Sequence, residues 1–139
     1  YAIGDMAMHE KRRLGRSRRL ESWANAELQA DIAAANLVVE TAACNSVPWF
    51  WTDQQGINLQ LLGTGENWEQ EVLRGRHDDG AFCAFYLRKG RIVMAALTNS
   101  GRERRPVKQL MEANAAVPPE ELQDADSRLR DIAKRFAST

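Results

Sequence analysis

Asp78-Asp79-Gly80-Ala81-Phe82-Cys83-Ala84-Phe85-Tyr86-Leu87-Arg88-Lys89-Gly90-Arg91-Ile92-Val93-Met94-Ala95-Ala96-Leu97 is the stretch whose reading decides the fold class. Asp78-Asp79-Gly80 is turn chemistry, since short acidic side chains bond nearby backbone and glycine accepts a positive φ. Ala81 to Leu87, rich in Phe82, Phe85 and Tyr86, then reads as a strand. Arg88-Lys89-Gly90 turns the chain into another, Arg91 to Leu97. Connections this short join antiparallel neighbours. Upstream, Trp68 to Leu73 alternates imperfectly as a further strand. Ile57, Leu59 and Leu61 alternate with Asn58 and Gln60 to give one more, with Gly63 and Gly65 turning the chain after it. Downstream, Asn99 and Ser100 can cap a helix running to about Ala113, with Val107, Leu110 and Met111 on one face. Pro118-Pro119 precedes a short helical turn holding Leu122, and Ser127 to Phe136 is amphipathic through Leu129, Ile132, Ala133 and Phe136. The predicted class is α+β, an antiparallel meander with helices.

The first third reads differently. Tyr1-Ala2-Ile3-Gly4-Asp5 is an apolar run ending in a Gly-Asp corner, as a short buried strand delivering one carboxylate would be. Its sheet is expected in sequence outside this chain, or in another chain. The chain opens without an initiator Met and without a signal-peptide pattern, so the expectation is a cytoplasmic fragment. A helix is predicted from about Ser22 to Val39, capped by Glu21 or Ser22 and favoured by its many alanines. Leu28, Ile32, Ala35 and Val39 form its apolar stripe, and Trp23 stands in its first turn. Thr41 to Ser46 is a linker.

Composition narrows the function. The 139 residues carry 19 Lys plus Arg against 19 Asp plus Glu, and 44% are hydrophobic. A soluble globular chain has this balance, and a nucleic-acid binder relying on basic excess does not. No apolar run approaches the roughly 20 residues of a membrane helix. Cys44 and Cys83 make neither a disulfide framework nor a CxxC pair, and His9 and His77 make no His-rich metal site. Both cysteines read as ordinary thiols and both histidines as surface residues.

Two segments ask for a partner. Lys11, Arg12, Arg13, Arg16, Arg18 and Arg19 place six cations in nine residues. Gly15 and Ser17 interrupt the run, so it reads as a basic surface loop: solvated, or a docking patch for an acidic partner or phosphates. Val47-Pro48-Trp49-Phe50-Trp51-Thr52-Asp53-Gln54 packs aromatics behind a proline that opposes a regular helix. Consecutive side chains point in different directions. At least one of these rings therefore meets a second surface, be it a cofactor, another domain or a partner, unless the segment is a multi-sided core anchor.

These motifs together resemble the C-terminal part of FAD-dependent ferredoxin reductases, the pyridine-nucleotide oxidoreductases that serve Rieske oxygenases and some bacterial cytochromes P450. Tyr1 to Asp5 resembles the late FAD-binding strand motif. Arg19-Leu20-Glu21-Ser22-Trp23-Ala24-Asn25-Ala26 resembles the helix start that follows it. Val47 to Gln54 resembles the family's Val-Pro-Trp-Phe-Trp-Ser-Asp-Gln signature with Thr52 for Ser, and Asn58-Leu59-Gln60 continues the match. Ala24 stands where relatives often have Gln, and Glu40 where a helix-ending Gly is common.

The resemblance implies residues 1–45 as the end of an FAD-binding α/β domain and residues 46–139 as the reductase C-terminal domain. Gly-rich nucleotide motifs are absent here and belong upstream, in missing N-terminal FAD and NAD domains. The implied activity of the intact protein is electron transfer from NADH or NADPH through FAD to a [2Fe–2S] ferredoxin, without a metal; the fragment alone is expected to be inactive. The resemblance assigns Asp5, Trp23, Ala24, Phe50 and Trp51 to FAD, and the Lys11 to Arg19 cations to ferredoxin docking. None is an acid or base of the reaction. The alternatives are a related FAD reductase with rubredoxin or another acceptor, or a non-enzymatic interaction module whose aromatic segment is a binding face.

Overall fold

The computed structural model describes residues 1–11, 16–38 and 42–136. They form two compact units, Tyr1–Phe50 and Trp51–Thr139.

In the first unit, strands β1 (His9–Lys11) and β2 (Arg16–Arg18) pair antiparallel, with His9 opposite Arg18 and Lys11 opposite Arg16. The basic segment is therefore not all loop. Lys11 and Arg16 to Arg18 lie on paired strands, while Arg12 and Arg13 lie outside the described residues. The strand expected at Tyr1 to Asp5 does not form. A 3₁₀ turn covers Gly4–Met6, with Gly4 at φ 71° and Tyr1 85% exposed. A strand needs a paired edge to satisfy its backbone, and among the described residues none runs alongside. The Gly4 N–H instead donates to Gln29 Oε1 at 2.6 Å.

Helix α1 (Trp23–Val38) carries Gln29. Of its expected apolar stripe, Leu28 and Ile32 are half-buried, Ala35 is exposed and Val39 lies outside the described residues. Its buried residues are Asn25 and Gln29. That face meets backbone groups, the Gly4 amide and the Leu20 carbonyl, and bare backbone selects polar side chains. Residues 42–48 connect irregularly, with Thr41 and Glu40 outside the described residues.

Strand β3 (Trp49–Gln54) begins in the first unit and runs into the second, where it is the edge of a five-stranded sheet. With β4 (Ile57–Gly63), β5 (Gln70–Gly75), β6 (Phe82–Arg88) and β7 (Arg91–Thr98), the order is β3-β4-β7-β6-β5. The predicted antiparallel meander is β5-β6-β7, pairing from Gln70 opposite Leu87 to Phe82 opposite Thr98, with a bulge between Tyr86 and Leu87 where β6 meets β7. β4 lies against β7, Leu59 opposite Thr98, so the chain crosses from one side of the sheet to the other edge between β4 and β5. Two-residue turns close β3–β4 and β6–β7. Gln55 and Gly56 sit at φ 51° and 79°, and Lys89 and Gly90 at 51° and 71°, the positive pair that matches strand twist.

Helices α2 (Arg104–Glu112), α3 (Pro119–Gln123) and α4 (Leu129–Phe136) complete the unit. α2 packs on β7 and α4, and α3 on β5. Phe85, Leu62, Leu87, Leu97, Leu110, Leu122 and Leu129 are fully buried. Each fully buried side chain of this size contributes roughly 1.5–3 kcal/mol. Asn99 and Ser100 do not cap α2. A 3₁₀ turn, Gly101–Glu103, intervenes. Asn99 donates to the Gly80 carbonyl at 2.6 Å and accepts the Asn58 N–H at 2.9 Å, while Ser100 Oγ donates to the Thr98 carbonyl. These side chains tie strand ends together and are spent before the helix starts. The segment from α3 to α4 is held by one guanidinium: Arg74 of β5 donates to the carbonyls of Leu122, Asp124, Ala125 and Ser127.

Candidate functional site

α1 starts at Trp23 because Ser22 Oγ accepts the Asn25 N–H at 3.3 Å, an N-cap that satisfies one orphan donor of the first turn. The same hydroxyl donates to the Trp49 carbonyl at 3.5 Å. No acidic residue stands in that first turn. The positive end of a 16-residue helix is thus left without a carboxylate of its own. Trp23 there is 64% exposed and Ala24 half-buried. Asn25 donates to the Leu20 carbonyl at 2.9 Å, and its Oδ1 is buried with no hydrogen-bond partner. The helix start therefore presents a flat aromatic and a positive pole, while Asn25 Oδ1 stays buried and unpaired. An electron-rich C=O edge, as on the pyrimidine side of a flavin, would answer the positive pole.

Asp5 is exposed on the Gly4–Met6 turn, and that turn is tied to α1 by the Gly4–Gln29 bond. Asp5, Trp23 and Ala24 therefore belong to one small assembly. On β3 the aromatics alternate. Trp49 and Trp51 are half-buried and Phe50 is 43% exposed. Adjacent rings do face opposite sides of the strand, as period-2 geometry requires.

Of the basic residues, Arg18 is half-buried, and Arg19 is exposed and pairs with Glu21 at 3.5 Å. Cys83 is buried in the sheet, and burial pushes its thiol up to about 11, opposed by a hydrogen bond with Ser100. It stays protonated and unreactive at neutral pH. Cys44 is a half-buried free thiol. His77 is exposed and packs edge-on against Phe82, ring centres 4.4 Å apart. Among the described residues no group of three or more His, Cys, Asp or Glu could hold a metal, and no helix is long and apolar enough to cross a membrane. Sequence reasoning missed Asn25. A polar residue inside an alanine-rich helix, three after a serine, was the available signal.

Residues 49–133, from β3 into α4, match the family described as Reductase C-terminal. This chain belongs to that family. The reductase C-terminal fold accounts for the crossed sheet and its helices.

Curated relatives extend the likeness into the first unit. The ferredoxin–NAD(+) reductase component of the anthranilate 1,2-dioxygenase system of Burkholderia cepacia is 42% identical over 89% of this chain. The ferredoxin reductase subunit of a 5,5'-dehydrodivanillate O-demethylase from a Sphingobium strain is 35% identical over 95%. The chain spans 31% and 32% of the length of those two proteins. Among solved structures, the covalent putidaredoxin reductase–putidaredoxin complex matches at 30% identity and TM-score 0.91, over 99% of this chain and 33% of that one. A ferredoxin reductase from Rhodopseudomonas palustris matches at 31% and 0.88, over 94% of this chain and 32% of that one. The family resemblance and the α+β class expected from the sequence are both borne out.

Proposed function

We propose that this chain is the C-terminal part of a cytoplasmic FAD-dependent ferredoxin–NAD(P)+ reductase. Residues 1–45 are the end of its FAD-binding domain and residues 46–139 its reductase C-terminal domain. The observation that carries the reading is the 42% identity, over 89% of the chain, to a ferredoxin–NAD(+) reductase component. Bound FAD would accept a hydride from NAD(P)H and release electrons singly to a [2Fe–2S] ferredoxin.

The chain's own residues position and tune. The Trp23 helix start favours negative charge at the ring edge it faces. Ala24 keeps the approach to that edge open, and Asp5 takes hydroxyl hydrogens of the ribityl side. Phe50 and Trp51 cover the flavin region and exclude water from it. Lys11, Arg12, Arg13, Arg16, Arg18 and Arg19 steer an acidic ferredoxin.

The test is flavin retention in the full-length protein. Asp5→Ala removes a charge-assisted hydrogen bond of about 1.5–3 kcal/mol and should lower FAD occupancy after dialysis. Trp23→Ala should change the rate of flavin reduction by NADH more than it changes the melting temperature. Unchanged occupancy and flavin dissociation in the first variant would remove Asp5 from the site. A large loss of melting temperature with normal kinetics in the second would make Trp23 a packing residue.

A further inference from the structure

A groove of about 730 Å³ opens in the second unit, beside the N-terminal ends of α2 and α4. Arg102, Arg105, Arg128 and Arg130 line it, and all four are exposed. Among the described residues none of the four is in an ion pair. Two further cations in its wall are already committed, Arg74 to four carbonyls and Lys134 to Asp131 at 2.8 Å. Glu103 is the one carboxylate in the lining.

The fold answers these charges only in part. Cations belong at the carboxyl ends of helices, where the macrodipole is negative. Here Arg102 and Arg105 flank the start of α2, where Glu103 at the N-cap is the one carboxylate, and Arg128 and Arg130 flank the start of α4, whose first turn holds Asp131 paired with Lys134. Four like charges around one concavity also repel each other. Local rules are broken in this way where function compensates. A bound anion would meet four guanidinium forks that hold no ion pair among the described residues.

We propose that this groove binds a di- or triphosphate group. The guanidinium fork matches phosphate oxygens in bidentate geometry, which a point charge does not. The volume lies within the range of small-ligand sites, roughly 300–1,000 Å³. A concave site of that size suits a small multivalent anion better than a protein face, which needs about 800 Å² from each partner. The site uses residues of the C-terminal domain alone and does not depend on the flavin assignment.

Isothermal titration of the full-length protein with inorganic tripolyphosphate, at about 0.15 M salt to screen diffuse attraction, tests this. One site per chain is expected, unaffected by saturating NAD+. Arg105→Gln combined with Arg128→Gln should weaken it at least about tenfold. Arg88→Gln, outside the groove, should leave it unchanged. ATP binding tighter than tripolyphosphate would identify a nucleotide as the source of the phosphates, and equal binding a free polyphosphate. Arg105 and Arg128 are exposed and hold no ion pair, so the double variant should melt close to the parent's temperature. Absent binding, equal binding by the double variant, or displacement by NAD+ would overturn the proposal. So would a lowered melting temperature, which would make the arginines structural. Normal tripolyphosphate binding in the double variant with slowed ferredoxin reduction would overturn it in favour of a protein-docking face.

Discussion

Cys83 shows how one residue's environment becomes a measurable pH dependence. Its thiol is held near 11 by burial, against 9.0 in the unfolded chain. Between those values the unfolded state has released the proton and the native state keeps it. Stability is therefore unaffected below about pH 9 and falls as pH rises toward 11, by an amount on the order of 1–2 kcal/mol. Urea unfolding of the parent and of Cys83→Ala across this range should show a steeper decline in the parent, since the variant lacks the titrating group. Parallel curves would mean that the thiol ionises in place without cost. A thiol reagent at pH 7 should label Cys44 long before Cys83. At this scale the sequence was only partly legible. Ser22 was readable as a cap because capping is local. Asn25 and Gln29 were not readable as buried, because what they bury against is backbone from Leu20 and Gly4, a partner no hydropathy pattern encodes.

Among elements, the meander from Gln70 to Thr98 was legible because strand alternation and turn residues are both local signals. The pairing of β4 with β7 was not, since non-local register leaves no mark on either strand alone. β3 is not legible from its aromatic run, because Pro48 speaks only against a helix; the local signal for a strand there is the Gln55-Gly56 turn that closes it onto β4. Arg74 has no sequence signature either, yet it joins β5 to the whole segment from Leu122 to Ser127. Arg74→Met should cost about 2–3 kcal/mol, because several carbonyls lose a charged donor at once. Hydrogen exchange should accelerate mainly in α3 and the turn leading to α4, while β6 and β7 stay protected. Arg74→Lys should recover only part of the loss, since an ammonium cannot span four carbonyls with a planar fork. Uniform loss of protection across the sheet would show that Arg74 supports the core rather than the connection.

At the scale of the whole molecule three features support the proposed function: a helix start with a positive pole, an aromatic strand, and a C-terminal fold shared with ferredoxin reductases. The aromatic motif and the Trp23 segment made the family legible before any coordinates, because their order and spacing are specific. The arginine groove was not legible, since its cations come from separate segments of sequence. The proposed function of the intact protein is electron delivery from a nicotinamide to an iron–sulfur protein. Its most direct test is anaerobic reduction of a purified [2Fe–2S] ferredoxin by NADH or NADPH, catalysed by the full-length protein and followed by bleaching of the ferredoxin spectrum. Catalytic bleaching that requires bound FAD, and that slows in Arg16→Gln/Arg18→Gln/Arg19→Gln at low salt but not at high salt, is the predicted result. A flavin-free protein, or a flavoprotein that oxidises NADH while leaving every ferredoxin oxidised, would contradict it.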